Sequence, residues 1–294
     1  DFDPLYNRAL LGTYPPGSTY KMSMVVAGID SGIITSETEI YDRGRYDKYA
    51  PGFTVYCLYY TSHGWVHENV DAAHALKVSC NYFFYELGDR IALSAMDRTA
   101  KGLGLGEPTG VELPESLGYR ANEETKKKLH SGDDGRWYKA DQITAAIGQS
   151  ENRFTPMQLC SYTSTLANRG TRYKATFLNR VVSADYRQLL TESKTEVLST
   201  LAISDDAYQA YTYGMYLVAN ESKIIPSPSQ PKQAPPKAAA KKSLPTARLC
   251  ATPRQTTPGL PLPSMVKKPD TAVPLPQSQE TFWTFTLKWA KSAT

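Results

Sequence analysis

The first apolar run with helical spacing is Met22, Val25, Val26 and Ile29, which predicts a helix beginning at Ser18 and stopped by Gly32. Tyr14-Pro15-Pro16-Gly17 before it is extended and rigid, because each proline fixes its own φ and disfavours helix in the preceding residue. Residues 40–69 are rich in Tyr, Gly and Thr without a clear period, and predict loops with short strands. Asn69 reads as the cap of a helix over about 70–78, and Tyr82-Phe83-Phe84-Tyr85-Glu86-Leu87 belongs to a second over about 82–91. Ser79-Cys80-Asn81 falls between the two. Gly-rich 102–110 and charged 119–136 read as surface connections. Thr155, Pro156 and Gln158 supply a cap, a first-turn proline and a reciprocal capping partner for a helix that closes near Gly170. Ser204-Asp205-Asp206 opens a last amphipathic helix to about Asn220.

Charge and composition then divide the chain. Residues 222–294 hold eleven Lys and Arg against Asp270 and Glu280, a net of +9, so the net charge of +4 leaves −5 for residues 1–221. Thirteen of the twenty prolines lie in the same tail, whereas every tyrosine lies at or before Tyr216. The expected organisation is one unit over 1–221 and a Pro/Lys-rich, disordered segment over 222–294. Cys57, Cys80, Cys160 and Cys250 show neither a CxxC nor another ligand spacing, so neither a disulfide framework nor a zinc site is suggested. No signal peptide or run of about 18 apolar residues occurs. The chain opens at Asp1 without a Met and reads as a fragment, so a missing anchor says nothing of the parent protein.

Two short patterns carry chemistry. On a helix starting at Ser18, Lys21 is the i+3 neighbour and shares its face. The helix N-terminus favours a serine alkoxide, and the Ser18 N–H faces a developing oxyanion. Lys21 lies on a helix whose next turns carry Met, Val, Val and Ala, and such apolar surroundings favour a neutral amine able to take the serine proton. Ser79 suits a proton relay between Lys21 and a leaving amine, and the Asn81 amide suits a partner for Lys21 and a substrate carbonyl. Read alone, a Pro-Gly-Ser at a helix start is far more often only a cap, and Ser-x-x-Lys arises by chance roughly once in a chain this long.

The longer strings around these patterns resemble a known family. Tyr14-Pro-Pro-Gly-Ser-Thr-Tyr-Lys21, Val78-Ser-Cys-Asn-Tyr-Phe-Phe-Tyr-Glu-Leu-Gly88, Gly104-Leu-Gly-Glu-Pro-Thr-Gly-Val-Glu-Leu-Pro114 and Ile147-Gly-Gln-Ser-Glu-Asn-Arg-Phe-Thr-Pro-Met-Gln-Leu159 are similar to the transpeptidase domain of class B penicillin-binding proteins. The resemblance covers roughly residues 5–221, in the family's order. It implies an α+β fold, the penicillin-binding transpeptidase and serine β-lactamase-like fold, in which a five-stranded antiparallel sheet is flanked by helices. It also implies peptidoglycan D,D-transpeptidation through a serine acyl-enzyme, with Ser18 as nucleophile, Lys21 as base, and Ser79 and Asn81 as second motif. Implied partners are stem peptides ending in D-Ala-D-Ala, β-lactams, and cell-wall synthesis proteins around a membrane-anchored parent on the extracytoplasmic face of the bacterial membrane. No cofactor, metal or specific nucleic acid is implied.

Other features read more plainly. His63, His67 and His74 cluster in the sequence, but no acidic residue or cysteine completes a ligand set, and the resemblance makes this segment a loop beside the site. Glu107 and Glu112 raise the deacylating Glu of a class A β-lactamase, yet their Pro-Thr-Gly-Val-Glu-Leu-Pro setting looks like the transpeptidase. Tyr82, Phe83, Phe84 and Tyr85 read as core and groove wall, and Lys126-Lys127-Lys128 as a solvated run.

The family's third motif, a Lys-Thr-Gly strand, does not occur in the 294 residues; Lys194-Thr195 precedes Glu196 and comes too early. Read from the third base of the Ser229 codon, the codons open to residues 229–237 permit Ala-Ala-Lys-Thr-Gly-Thr-Ala. The same frame over Val266 to Val273 permits another family-like string. The tail is therefore expected to be out-of-frame translation, and 1–221 to be mainly the helical lobe of a partial domain, poorly folding and aggregation-prone. Two readings of function stand: a transpeptidase, or a catalytically dead fragment whose basic tail binds polyanions nonspecifically. Sequencing the coding DNA across codons 215–235 tests the frame; a break is expected, and an intact frame in independent reads overturns it.

Overall fold

The computed structural model describes residues 5–221, and the expectations for the tail lie outside them. The order of elements is α1 (Lys21–Asp30), β1 (Ile40–Asp42), β2 (Arg45–Tyr49), β3 (Phe53–Tyr56), α2 (Leu58–His63), β4 (Glu68–Val70), α3 (Ala72–Lys77), α4 (Asn81–Arg90) and α5 (Leu93–Gly102). There follow α6 (Glu123–Leu129), α7 (Lys139–Ala145), α8 (Pro156–Ala167), β5 (Thr171–Tyr173), β6 (Arg180–Val182), β7 (Leu189–Glu192), β8 (Val197–Thr200) and α9 (Asp205–Glu221). Among the described residues the strands pair only two by two and antiparallel, β1 with β4, β2 with β3, β5 with β8 and β6 with β7. The helices dominate, as expected for the helical lobe.

The core forms around α1. Every residue from Lys21 to Ile29 is buried, so the apolar stripe expected from the sequence is in fact a helix enclosed on all sides. Its neighbours are α3, α4, α5 and α9. Helices α4 and α7 pack so closely that a Cβ on Gly88 would stand 2.5 Å from the Ala146 Cβ. The capping box at α8 is as read: Thr155 accepts from the Gln158 amide and the Gln158 side chain accepts from the Thr155 amide. Ser204 likewise caps α9 through the Ala207 amide.

Several expectations need correction. The cap of α3 is Asp71, which accepts from the His74 amide at 2.8 Å, while Asn69 lies in β4. The chain between 102 and 110 is not merely surface, since Leu103 and Leu105 are fully buried, and 119–136 contains α6. Lys126 is not solvated: it is buried and paired with Asp141 beneath the Tyr138 ring, unlike Lys127 and Lys128.

The β2–β3 hairpin is fastened to the helices by one carboxylate. Asp89 on α4, its side chain 2 % exposed, accepts from Tyr46 Oη at 2.8 Å and Tyr49 Oη at 2.7 Å, and pairs with Lys48 and with Lys139 of α7. Burial opposes its ionisation, but these partners outweigh it and hold the pKa down at about 2. A carboxyl depressed in the folded state stabilises above its unfolded pKa, and that contribution is lost as pH falls through the folded value. Asp89→Asn is therefore expected to cost about 1–3 kcal/mol at neutral pH. It is also expected to flatten the fall in stability between about pH 4 and pH 2, read from urea unfolding midpoints at each pH.

Candidate active site

Residues Gly17–Tyr20 form a 3-10 turn that runs directly into α1, so Ser18 precedes the α-helix and does not open it. In such a turn side chains three apart eclipse, which keeps Ser18 and Lys21 on one face. Gly17 adopts a φ of 54° and donates its amide to the Gly148 carbonyl at 3.0 Å. Gly148, with φ 75°, lies so close that a Cβ there would stand 2.1 Å from the Gly17 carbonyl oxygen. The Ile147-Gly-Gln stretch thus serves as the floor under the Ser18 turn.

The opposing wall is the turn between α3 and α4. Ser79 takes a φ of 52°, a left-handed conformation that costs energy for a residue with a side chain. Amide bonds from Ser79 to the Leu76 carbonyl at 3.1 Å and from Cys80 to the Ala75 carbonyl at 2.9 Å hold it. Asn81 then starts α4.

This geometry aims three acceptors at one point. Lys21 Nζ donates to the Ser79 carbonyl at 2.9 Å, to Ser79 Oγ at 3.0 Å and to Asn81 Oδ1 at 2.6 Å. The Ser79 hydroxyl donates onward to Ser18 Oγ at 2.9 Å. All four residues singled out in the sequence therefore meet, with Ser79 standing between Lys21 and Ser18. Lys21 is 1 % exposed and its ammonium lies 5.2 Å from the centroid of the Phe84 ring. Burial pushes its pKa down to about 7, against the opposing pull of Cys80 and Cys57. Near neutral pH both the charged and the neutral amine are populated. Ser18 itself stays half-exposed. The arrangement can pass a proton along a hydroxyl relay to or from a reactive serine.

Glu107 is engaged by Arg120, and Glu112 by the Thr176 hydroxyl and the Phe177 amide. Tyr82, Phe83, Phe84 and Tyr85 are all buried, as expected.

The histidines do not act as a group. His63 lies beside the Tyr59 ring, and His74 bonds Asp71. His67 instead points its Nδ1 at Asp42 Oδ2, 2.8 Å away, with Cys57 Sγ at 3.6 Å. Cys80 Sγ reaches the same Asp42 oxygen at 3.4 Å, and the ligand atoms of Asp42, Cys57, His67 and Cys80 all lie within 4.8 Å of one another. The expectation that no carboxylate or cysteine completes a ligand set is thus overturned. The donors come from the end of β1, the β3–α2 junction, the approach to β4 and the α3–α4 turn, so no short spacing announces them.

A two-sulfur, one-nitrogen, one-oxygen set suits tetrahedral zinc, whose bonds of about 2.0–2.3 Å place ligand atoms roughly 3–4 Å apart. The neighbouring Cys80 thiol holds the Cys57 pKa down at about 4 while its own is raised. Burial opposes the His67 imidazolium, but Asp42 and Cys57 outweigh it and lift the pKa to about 9. The residues that would hold the ion are therefore Asp42, Cys57, His67 and Cys80, and binding would displace the protons of His67 and of the Cys80 thiol.

The family described as penicillin binding protein transpeptidase domain matches residues 1–234. Among curated relatives, peptidoglycan D,D-transpeptidase MrdA of Acinetobacter baumannii is 35% identical over 168 residues, covering 57% of this chain and 24% of the relative. MrdA of Escherichia coli K12 is 31% identical over 168 residues, with 57% and 25% covered. Among solved structures, the penicillin-binding protein PBP2 of Helicobacter pylori gives a TM-score of 0.62 at 26% identity, covering 74% of this chain and 38% of that one. PBP2 of Pseudomonas aeruginosa in complex with WCK 5153 gives 0.61 at 25% identity, with 72% and 46% covered. The chain spans about a quarter of the length of the curated relatives it matches.

Because the floor glycine has no room for a side chain, Gly148→Ala is expected to displace the Ser18 turn. A thermal melt should show a loss of several degrees, in line with the ~1–3 kcal/mol typical of a strained, overpacked position. An unchanged melting temperature would mean that the turn accommodates the methyl group.

Proposed function

The chain belongs to the penicillin-binding protein transpeptidase domain family and shares its fold, and from that premise we propose that it carries the acylating half of a peptidoglycan D,D-transpeptidase site. The observation that supports this reading is the continuous Ser18–Ser79–Lys21–Asn81 hydrogen-bonded chain around an amine with a pKa near 7. In the proposed reaction, Ser18 Oγ attacks the carbonyl of the penultimate D-Ala of a stem peptide while its proton passes through Ser79 to neutral Lys21. The C–N bond then breaks, the terminal D-Ala leaves with a proton returned along the same relay, and the amine of a second stem peptide resolves the ester. Asn81 keeps Lys21 in place and reaches toward the substrate. A β-lactam, whose strained amide imitates the same bond, forms the ester and stays.

The relatives named above are D,D-transpeptidases, and PBP2 of Helicobacter pylori has been solved in a complex with MreC. We extend to this chain the substrate class, a place at the extracytoplasmic face of the cytoplasmic membrane, and partners drawn from the cell-wall synthesis machinery. Among the described residues no helix is long and apolar enough to cross a membrane. The 294 residues contain no Lys-Thr-Gly, the motif whose neighbouring backbone donor completes the oxyanion hole in this family. Loss of one such donor costs about 10²–10³ in rate.

Fluorescent penicillin tests the proposal. A covalent adduct is expected on Ser18, found by peptide mass mapping and absent from Ser18→Ala. It is expected to form about 10²–10³ more slowly than in a chain to which a Lys-Thr-Gly strand has been restored. No adduct on either chain, or one that survives in Ser18→Ala, overturns the reading. Only the neutral amine accepts a proton, so the acylation rate should rise about tenfold per pH unit below 7 and level off above it. Lys21→Arg, which stays charged throughout, should show no such rise and little labelling.

A further inference from the structure

The Gly17–Tyr20 turn passes into α1 at a point where a buried hydroxyl from another helix has entered the backbone. Extending α1 backward by one residue would close the Thr19 carbonyl on the Ser23 amide, the i to i+4 bond of an α-helix. Tyr162 Oη, on α8, occupies that place: it donates to the Thr19 carbonyl at 3.1 Å and accepts from the Ser23 amide at 3.0 Å. A side chain inserted into this ladder changes the course of a helix. Two nearer hydroxyls reinforce the change. Thr19 Oγ1 donates to the Pro16 carbonyl and Ser23 Oγ to the Tyr20 carbonyl, each at 2.7 Å and each three residues back, the spacing of a 3-10 turn. Tyr162 is 1 % exposed, and burial pushes its phenol above the usual range, so the hydroxyl keeps the proton it donates.

The form of this turn decides where Ser18 stands. In a 3-10 turn residues three apart eclipse, whereas in an α-helix they stand about 60° apart around the axis. That rotation moves a residue by about 2 Å at the Cα radius. The Ser79 hydroxyl reaches Ser18 Oγ at 2.9 Å, and a hydrogen bond does not survive a displacement of that size. We propose, resting on the transpeptidase reading above, that Tyr162 is a positioning residue for acyl transfer: its hydroxyl keeps the nucleophile turn in 3-10 form and so keeps Ser18 on the proton relay from Ser79 and Lys21. It acts through the backbone of Thr19 and Ser23. The Gly148 floor sets the height of the turn, and Tyr162 sets its pitch.

Tyr162→Phe removes the hydroxyl and leaves the ring, so the Thr19 carbonyl and the Ser23 amide are expected to close on one another in α form. Tyr211→Phe is the matched control. Tyr211 is as deeply buried, and its hydroxyl also donates to a backbone carbonyl, that of Leu166 at 2.8 Å, one turn further along α8. Both variants are made in the full 294-residue chain and acylated with fluorescent penicillin over a range of concentrations. This separates the limiting acylation rate from the apparent dissociation constant of the complex that precedes the ester. Both are expected to lose a few degrees of melting temperature. Only Tyr162→Phe should lose limiting rate, by about 10–100-fold, as misplacement of a reacting group does, with the apparent dissociation constant unchanged within about twofold. A crystal structure of Tyr162→Phe should show α1 starting one residue earlier and Ser18 Oγ out of hydrogen-bond reach of Ser79 Oγ. An undiminished limiting rate overturns the proposal, and so does an equal loss in Tyr211→Phe, which would make the effect one of stability alone. If the parent chain forms no ester, the transpeptidase reading fails, and the structure of the variant still decides the inference: an unchanged 3-10 turn sinks it.

Discussion

One amine inside the protein sets the terms for the rest. Lys21 begins a helix enclosed on every side, and an ammonium there would cost several kcal/mol if it were left unpartnered. It is tolerated because three oxygens meet it, two from Ser79 and one from Asn81. The docking of α1 against the α3–α4 turn is therefore one interaction with two consequences. It satisfies the most expensive group in the core, and it sets a base with a pKa near 7 one hydroxyl away from Ser18. Stability and chemistry draw on the same atoms.

Around that contact the backbone accepts local strain. Ser79 sits in the left-handed region, at a cost of about 1–2 kcal/mol. The amide bonds to Leu76 and Ala75 and the burial of Cys80 offset it. On the opposite side Gly148 lies closer to the Gly17 backbone than a side chain at 148 allows, which brings the Ser18 turn down onto its floor. Asp89 does a related job at longer range, collecting two tyrosines and two lysines so that the β2–β3 hairpin stays against α4 and α7. Lys21 and Asp89 are the buried charged groups among these, and each meets several partners, the condition under which such groups specify a single arrangement.

The parts legible in the sequence are those whose signal is local. The capping box at Thr155 and Gln158, the start of α9 at Ser204, and the pairing of Ser18 with Lys21 all depend on residues three or four apart. The long apolar-periodic helices were legible for the same reason. Helix α2 was not, because it buries no side chain and so leaves no apolar period to find. Asp71 and Asn69 are both good caps, and only the pairing of Asn69 with Tyr41 across β1 and β4 decides between them. Lys126 read as solvated since its partner Asp141 is fifteen residues away. The cluster around His67 is the clearest case: Asp42, Cys57 and Cys80 lie on separate elements, and only the fold brings their donors together. The meeting of Ser18 with Ser79 is just as distant, yet it was expected, because the strings flanking both carry a family resemblance that supplies the contact which spacing alone cannot.

The cluster and the Ser18 site cannot be separated in physical terms, because Cys80 belongs to one and its two chain neighbours to the other. A displacement of the Cys80 backbone is a displacement of Ser79 Oγ and Asn81 Oδ1, each within about 3 Å of Lys21 Nζ, where hydrogen-bond energy falls steeply with distance and angle. The coupling is also electrostatic. Burial drives the Lys21 pKa down, and Cys80 and Cys57 are the groups that oppose it. Anything that changes the charge on those sulfurs therefore acts on the amine that must be neutral to accept a proton. A turn of three residues, Ser79-Cys80-Asn81, thus meets the donor cluster through its middle side chain and Lys21 through the outer two. The sequence pattern Ser-x-Asn leaves that middle position open, and in this chain it is occupied by the one side chain that ties the motif to the Asp42–Cys57–His67 donors.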